Sequence, residues 1–125
     1  TAESTRYTGP IHLDRTAVIR AVCIEPGKMP SEILTLTYVI GEGHSLPVVS
    51  LVTEPDNLWD YNTGIYVEGP NADPVFPHPG ANYWQPWEKA ASVSLYEEDG
   101  SGFSANCGLA IFGAYSRALA IKPFS

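Results

Sequence analysis

Basic residues are scarce in this chain of 125 residues, which has seven Lys and Arg against 14 Asp and Glu and a formal net charge of -7. The seven basic residues are scattered singly along the sequence. A protein that binds phosphate backbones needs a basic face, and a negatively charged chain is repelled by an anionic lipid surface. The composition therefore argues against nucleic acid and against anionic membranes as partners.

Long apolar runs and cysteines are scarce as well. No apolar run approaches the roughly 20 residues that a membrane-spanning helix requires. Cys23 and Cys107 lack metal-ligand spacing, which leaves two buried free thiols or one disulfide between them as alternatives. Glu54, Asp56 and Asp60 lie close in sequence but do not follow the pattern of a Ca²⁺-binding loop. The sequence thus predicts no membrane segment and no metal site.

Turn-forming residues are abundant, since the chain contains 11 Gly and 11 Pro. Each interrupts regular structure, so many turns and few long helices are expected. Hydrophobic residues make up 44% of the chain, which is enough for a core in one domain or in two small ones. We therefore expect a mainly β protein with short helical turns only.

The first part of the chain reads as strands of a β-sandwich. Residues 16–24 are rich in β-branched side chains, and residues 33–40 alternate so that Leu34, Leu36 and Tyr38 share a core-covering face. Residues 25–28 (EPGK) predict a turn between them, and residues 7–13 a shorter third strand. Residues 41–43 (GEG) predict a joint, which divides the chain into domains 1–42 and 43–125.

The second part also reads as β-structure. Residues 46–52 form an apolar run that predicts a strand buried on both faces, and residues 55–59 suit one helical turn capped by an acidic side chain. The prolines of residues 69–81 predict an irregular loop. Asp99-Gly100 predicts a hairpin turn between strands 91–96 and 103–112. Residues 65–67 and 119–124 predict two more strands, and the apolar character of both faces places strand 103–112 in the middle of a sheet.

The number of strands raises a physical difficulty for the first part. Three strands can form one hydrophobic face but cannot cover it themselves. We therefore expect a chain that lacks neighbouring pieces at both ends, with an incomplete β-sandwich first and a second sheet-rich unit after it. An uncovered β face of this kind also predicts self-association into a homo-oligomer.

Residues 7–13 (YTGPIHL), followed by 16–21, 28–32 and 37–38, resemble the second half of the chitobiase/β-hexosaminidase C-terminal repeat. That family is an immunoglobulin-like sandwich appended to secreted and surface proteins. The half that normally precedes this segment is absent, and Thr1 falls about where it would end. The resemblance implies a secreted or surface-attached bacterial protein.

Most of the chain beyond Gly43 resembles the amino-terminal part of the CotH family, which comprises spore-coat-type proteins with a kinase-like fold. The resemblance is carried by residues 46–59 (LPVVSLVTEPDNLW), 64–67 (GIYV), 82–85 (NYWQ), 87–88, 97–100 and 108–117. It implies transfer of phosphate from ATP to protein, with catalytic acids and metal ligands well beyond residue 125. On this basis no cofactor is expected in this chain, and ATP with Mg²⁺ in the complete protein.

The resemblance also implies residue roles. Lys122 would lie on a strand and neutralise nucleotide phosphates, with Ser116 and Arg117 in the preceding loop. Two departures from the family pattern bear on this: Ala114 stands where a second glycine is common, and Pro123 follows Lys122 where serine is usual. The alternative for Lys122 and Arg117 is a pair of solvated surface charges.

A second set of candidates is aromatic. Tyr83, Trp84 and Trp87 lie beside the proline-rich loop, where they could stack on sugar rings or simply pack the loop onto the sheet. A carbohydrate-binding or adhesion module is therefore the alternative function. An independent hydrolase is the weakest alternative, because His12, His44 and His78 are isolated and no G-x-S-x-G segment occurs.

These observations lead to one preferred interpretation. The chain is expected to be a fragment of a secreted, cell-surface or spore-coat protein of the CotH type that does not itself catalyse. Its expected partners are a protein substrate, components of the cell surface or spore coat, or a glycan.

Overall fold

The computed structural model describes residues 4–43 and 45–125, so Thr1 and His44 lie outside the described residues. The chain forms two compact units, residues 1–44 and 45–125. Each unit contains one antiparallel sheet, and the helices that the structure describes are single short turns. The protein is therefore mainly β, as the composition and the strand patterns predict.

The first unit is a β-hairpin of strands β1 (Ala17–Ala21) and β2 (Leu34–Tyr38). The amide of Lys28 donates to the carbonyl of Glu25 at 3.1 Å, and Gly27 takes a φ of 77°, which confirms the predicted turn. The amide of Ser31 donates to the carbonyl of Cys23 at 3.0 Å and continues the pairing beyond the strands. Residues 7–13 form no strand, so the third strand predicted there is wrong.

The apolar face of this hairpin is not a core. The register places Leu34, Leu36 and Tyr38 on one face, but Leu34 is 56% and Tyr38 41% exposed. Thr35, on the opposite face, is buried. The predicted core-covering face is therefore wrong for the hairpin itself, because two strands cannot enclose their own side chains.

The cysteines are both free thiols in the structure. Cys107 is half-buried, whereas Cys23 is exposed at the end of β1. No disulfide forms between them, and the burial predicted for Cys23 is wrong.

The second unit is built on a three-stranded sheet in the order β3 (Val48–Thr53), β4 (Lys89–Tyr96) and β5 (Gly102–Leu109). The β4–β5 turn is the predicted hairpin: the amide of Glu97 donates to Ser101 at 2.8 Å, and Gly100 takes a φ of 80°. The central strand is β4, so the prediction that residues 103–112 lie in the middle of the sheet is wrong. Residues 103–112 have apolar side chains on both faces because the last of them, residues 110–112, leave the sheet and pair with residues 123–125.

One face of this sheet carries an exposed apolar surface. The register aligns Val49 with Leu95 and Phe103, and Leu51 with Val93, on the same face. Val49 is 65% and Phe103 57% exposed, so the prediction that residues 46–52 are buried on both faces is wrong. We call these five residues the open face.

The core lies at one end of the sheet rather than over its centre. Its buried residues are Ile65, Ala81, Tyr83, Ala91, Leu109 and Ile111, which come mostly from loops and strand ends. A predicted helical turn, α1 (Pro55–Trp59), borders it through Leu58, although its N-cap residue Glu54 makes no side-chain capping bond. Residues 69–81 form the predicted irregular loop between these parts.

Residues 65–67 do not form the predicted strand, because their backbone donors are taken by α1. The amide of Ile65 donates to the carbonyl of Asn57 at 2.9 Å, and that of Tyr66 to Leu58 at 3.0 Å. These bonds hold the segment against the end of the helix, where Ile65 is almost completely buried.

Residues 119–124 likewise do not form the predicted strand. A 3₁₀ helix, Tyr115–Ala118, precedes them, and pairing begins only at Pro123, whose carbonyl accepts from the amide of Phe112 at 2.8 Å. The Lys122 amide donates instead to the hydroxyl of Tyr66 at 2.8 Å. Lys122 therefore lies in an irregular segment and not on a strand.

Within the described ranges, none of the helices is long and apolar enough to cross a membrane.

Candidate functional site

An open pocket of about 460 Å³ lies between the loop after α1 and the segment that precedes the carboxy-terminal pairing. Its volume is in the range of small-molecule sites. Most of its walls are aromatic or aliphatic, and one amine and one carboxylate line it. Its lining residues include Tyr61, Tyr66, Glu68, Tyr83, Leu119 and Lys122.

Lys122 is the most unusual residue of this pocket, because a lysine is almost never fully buried unless it is paired. It is 8% exposed, and its Nζ donates to the carbonyl of Leu119 at 2.6 Å. The same Nζ lies 4.5 Å from the ring centre of Tyr83 and 5.1 Å from that of Tyr66. The alternative of a solvated surface charge is therefore wrong for Lys122.

The electrostatics of the pocket follow from burial. Desolvation lowers the pKa of Lys122, and the negative charge of Glu68 partly opposes this shift. Burial and the same carboxylate raise the pKa of Tyr83, so its phenol stays protonated at neutral pH. The pocket thus combines an amine whose pKa is lowered by burial with a neutral phenol.

Tyr66 fixes the segment that carries the lysine. Its hydroxyl donates to the carbonyl of Ala120 at 3.3 Å and accepts from the amide of Lys122 at 2.8 Å. Its ring contacts Trp59 at 5.0 Å and Phe124 at 5.6 Å between ring centres. One side chain therefore anchors the irregular segment to α1 and to the end of the chain.

Asn82 fixes the loop that carries two of the lining residues, Tyr61 and Glu68. Its side chain is buried, and its Nδ2 donates to the carbonyls of Tyr61 and Gly64, both at 3.1 Å. Its backbone amide donates to the carbonyl of Glu68 at 2.8 Å. Gly69 has a φ of 75° and no space for a Cβ, because the Asn82 side chain lies against it. A single amide therefore sets the path of the loop that carries Tyr61 and Glu68.

The side chains of Ser116 and Arg117 do not line the pocket with Lys122. The Nε of Arg117 donates to the carbonyl of Gly113 at 2.6 Å, and one of its terminal nitrogens donates to the carbonyl of Tyr83 at 3.3 Å. Arg117 therefore links the 3₁₀ helix to the core, and it is not a solvated charge. Ser116 is half-buried, with its hydroxyl beside Gly113.

The three aromatic candidates for sugar stacking lie close together in sequence but are differently placed. Tyr83 is buried, and its ring faces Lys122. Trp84 is half-buried, and its Nε1 donates to the carbonyl of Pro77 at 2.9 Å. Trp87 is half-buried, with the Nζ of Lys89 5.6 Å from its ring centre. The bond of Trp84 therefore packs it against the proline-rich loop, whereas Tyr83 and Trp87 contact lysines, and carbohydrate binding stays a prediction.

The carboxylate of the pocket has a second neighbour. The Oε1 of Glu68 lies 3.7 Å from the Nε2 of His78, whose Nδ1 lies 2.9 Å from the carbonyl of Asp73. Because the Glu68 side chain is 60% exposed, solvent screens its interactions. Over residues 4–43 and 45–125, no three His, Cys, Asp or Glu side chains are close enough to form a metal site.

Sequence reasoning identified Lys122 and Tyr83 but missed Tyr61, Tyr66, Glu68 and Leu119 as lining residues. Tyr66 and Glu68 fall in a segment that reads as a strand and a loop start, so their sequence pattern carries no signal of a site. What brings them to the pocket is the long-range bonding of Asn82 and of the Tyr66 hydroxyl.

Comparison with known proteins gives one match. Residues 1–38 match the model of the family described as Fn3 associated. No curated protein and no solved structure matches the chain. The match covers the first unit and agrees with an immunoglobulin- or fibronectin-like associated module there.

Proposed function

We propose that residues 45–125 belong to a CotH-like domain of a secreted or cell-surface bacterial protein of the spore-coat type, whose complete form is an ATP-dependent protein kinase. In this proposal Lys122 binds the phosphates of the nucleotide. The observation that supports it most strongly is the position of the Lys122 amine, buried at an open pocket of about 460 Å³ that Tyr61 and Tyr66 also line.

The residues of the pocket fit a nucleotide phosphate. An anion that enters the pocket would accept a charge-assisted hydrogen bond from the Lys122 ammonium, which has two further N–H groups besides the one donated to the Leu119 carbonyl. It would also favour the protonated amine and so reverse the shift that burial imposes on the pKa of Lys122. Glu68 opposes an anion, but its exposure weakens this effect.

Phosphoryl transfer needs more than this lysine. It requires metal ions and a base positioned together with the phosphate-binding groups. In the proposal, later sequence of the complete protein contributes those groups, as the resemblance to CotH proteins implies, and this chain contributes nucleotide binding.

The first prediction concerns nucleotide binding. Titration of the complete protein with ATP and Mg²⁺ by calorimetry is expected to give binding that Lys122→Ala weakens by roughly tenfold or more, the effect of losing one charged hydrogen bond. Lys89→Ala is the matched control, because Lys89 contacts Trp87 outside the pocket. Equal affinity of wild type and Lys122→Ala, or no binding by the wild type, would contradict the proposal. In the complete protein, Lys122→Ala should also reduce ATP- and Mg²⁺-dependent phosphate transfer.

A further inference from the structure

The three lysines of this chain lie in different environments. Lys28 is an exposed surface residue whose Nζ pairs with Glu25 at 3.0 Å, and Lys89 lies beside the ring of Trp87. Lys122 alone of the three lines a pocket. Because all three amines belong to one molecule, their chemical reactivities can be compared directly.

The groups that face the Lys122 amine are few. Its Nζ contacts the Leu119 carbonyl and the rings of Tyr66 and Tyr83. The other titratable groups that line the pocket are Tyr61 and Glu68. The partners that the structure gives its Nζ are one carbonyl and two ring faces. A neutral amine in this position can donate one N–H to Leu119 and keep its lone pair for another atom.

Protonation decides whether that lone pair is available. Burial lowers the pKa of Lys122, so a larger fraction of this amine is neutral near pH 8 than of a solvated lysine. Each unit of lowering increases the neutral fraction about tenfold when the pH is well below the pKa. Glu68 acts in the opposite direction, because its charge favours the ammonium form.

We propose that Lys122 is a nucleophilic lysine that forms an imine with uncharged aromatic aldehydes that enter its pocket. Tyr61 lines the pocket and is 63% exposed, so its ring offers a surface against which an aromatic ring can pack. An uncharged aldehyde avoids repulsion by Glu68, the carboxylate that lines the pocket. A pocket of about 460 Å³ is large enough for one substituted benzene ring.

The reaction is a condensation. The lone pair of the neutral Nζ attacks the carbonyl carbon, an N–C bond forms, and the π pair of the carbonyl moves to its oxygen. Proton transfer from nitrogen to that oxygen gives a carbinolamine, which expels water as the C=N bond forms. Amine and aldehyde thus give imine and water without an oxidant or reductant. Imine formation needs the neutral amine, whereas phosphate binding uses the ammonium form of the same residue. Labelling without nucleotide therefore tests this proposal separately from the proposed function.

The test is competitive labelling of the whole chain with benzaldehyde and cyanoborohydride, which reduces the imine to a stable amine. Mass spectrometry of the digested protein quantifies the adduct at each lysine between pH 6.5 and 9. We expect Lys122 to be labelled at least about threefold faster than Lys28 at pH 7.5, and the ratio to decrease as the pH approaches the pKa of free lysine. A rate at Lys122 equal to or below that at Lys28 across this range would overturn the proposal.

Two further measurements separate the pocket from local sequence effects. Glu68→Gln removes the carboxylate that favours the ammonium form, so labelling of Lys122 should rise while that of Lys28 stays unchanged. In denaturing urea the preference for Lys122 should disappear. An unchanged Lys122 rate in Glu68→Gln, or a preference that persists in urea, would contradict the role assigned to the pocket.

Discussion

Lys122 has a measurable effect on the pH dependence of stability. Its folded pKa lies below that of the unfolded chain, so the unfolded state binds more protons between the two values. The free energy of unfolding therefore rises with pH as the pH passes through the folded pKa toward 10.5. Tyr83 acts oppositely above about pH 10, because its raised pKa makes the unfolded state lose its proton first.

The second prediction follows from this sign. As the pH rises through the folded pKa of Lys122 toward 10.5, the free energy of unfolding of the wild type should rise relative to that of Lys122→Met, which keeps a similar volume but has no titrating amine. Urea unfolding at several pH values measures the difference. A constant difference across this range would show that the Lys122 pKa is not lowered, and Lys89→Met provides the control for loss of a lysine elsewhere.

At the scale of single elements, Asn82 determines the wall of the pocket more than any strand does. It is buried and bonds to the carbonyls of Tyr61, Gly64 and Glu68 through its side chain and backbone. Removing its side chain would leave the buried Gly64 carbonyl and the partly buried Tyr61 carbonyl without that donor, and the loss of a partner by a buried group costs about 1–3 kcal/mol.

The third prediction is that Asn82→Ala lowers the free energy of unfolding by roughly 2–4 kcal/mol and weakens ligand binding in the pocket. Gly69→Ala should have a similar effect, because its φ of 75° and the adjacent Asn82 side chain leave no room for a Cβ. Gly43→Ala is the control, since an added Cβ there meets nothing within 4 Å. Chemical denaturation measures all three, and a stability of Asn82→Ala equal to that of Gly43→Ala would be inconsistent with this role.

The elements also show what sequence can and cannot predict here. The turns at Gly27 and Gly100 were predictable because their chemistry is local, and so were the strands that flank them. Residues 65–67 and 119–124 have strand-like composition, yet their backbone donors bond to α1 and to the Tyr66 hydroxyl. Such partners are distant in sequence, so no local pattern indicates them.

The sequence predicted only part of the candidate site. A family resemblance indicated Lys122, but the pocket around it depends on side chains such as Tyr61 and Glu68 that have no distinctive spacing. The same resemblance indicated Ser116 and Arg117 in the loop that precedes Lys122, and the structure directs the Arg117 guanidinium to backbone carbonyls instead.

At the scale of the whole molecule, the open face is a surface of the second unit on which apolar strand residues are exposed. Val49, Leu51 and Phe103 project from the two outer strands of the sheet and are substantially exposed. Exposed apolar surface on outer strands favours association between chains.

The fourth prediction is that the chain self-associates in a concentration-dependent manner and that Phe103→Ser reduces this association. Sedimentation velocity over a range of concentrations measures it. Val18→Ser is the control, because Val18 is also an exposed apolar strand residue but lies in the first unit. A wild type that sediments as a monomer at all concentrations, or equal effects of the two variants, would count against the open face as the contact surface.

The sparse interior of the first hairpin affects how energetic measurements on this protein are interpreted. Among its described residues only Thr35 is buried, and an isolated two-stranded hairpin is marginally stable in water. Melting of this hairpin therefore contributes little to a calorimetric transition of the whole chain. The enthalpy of such a transition reports mainly on residues 45–125, and substitutions near Lys122 can be compared without correction for the amino-terminal segment.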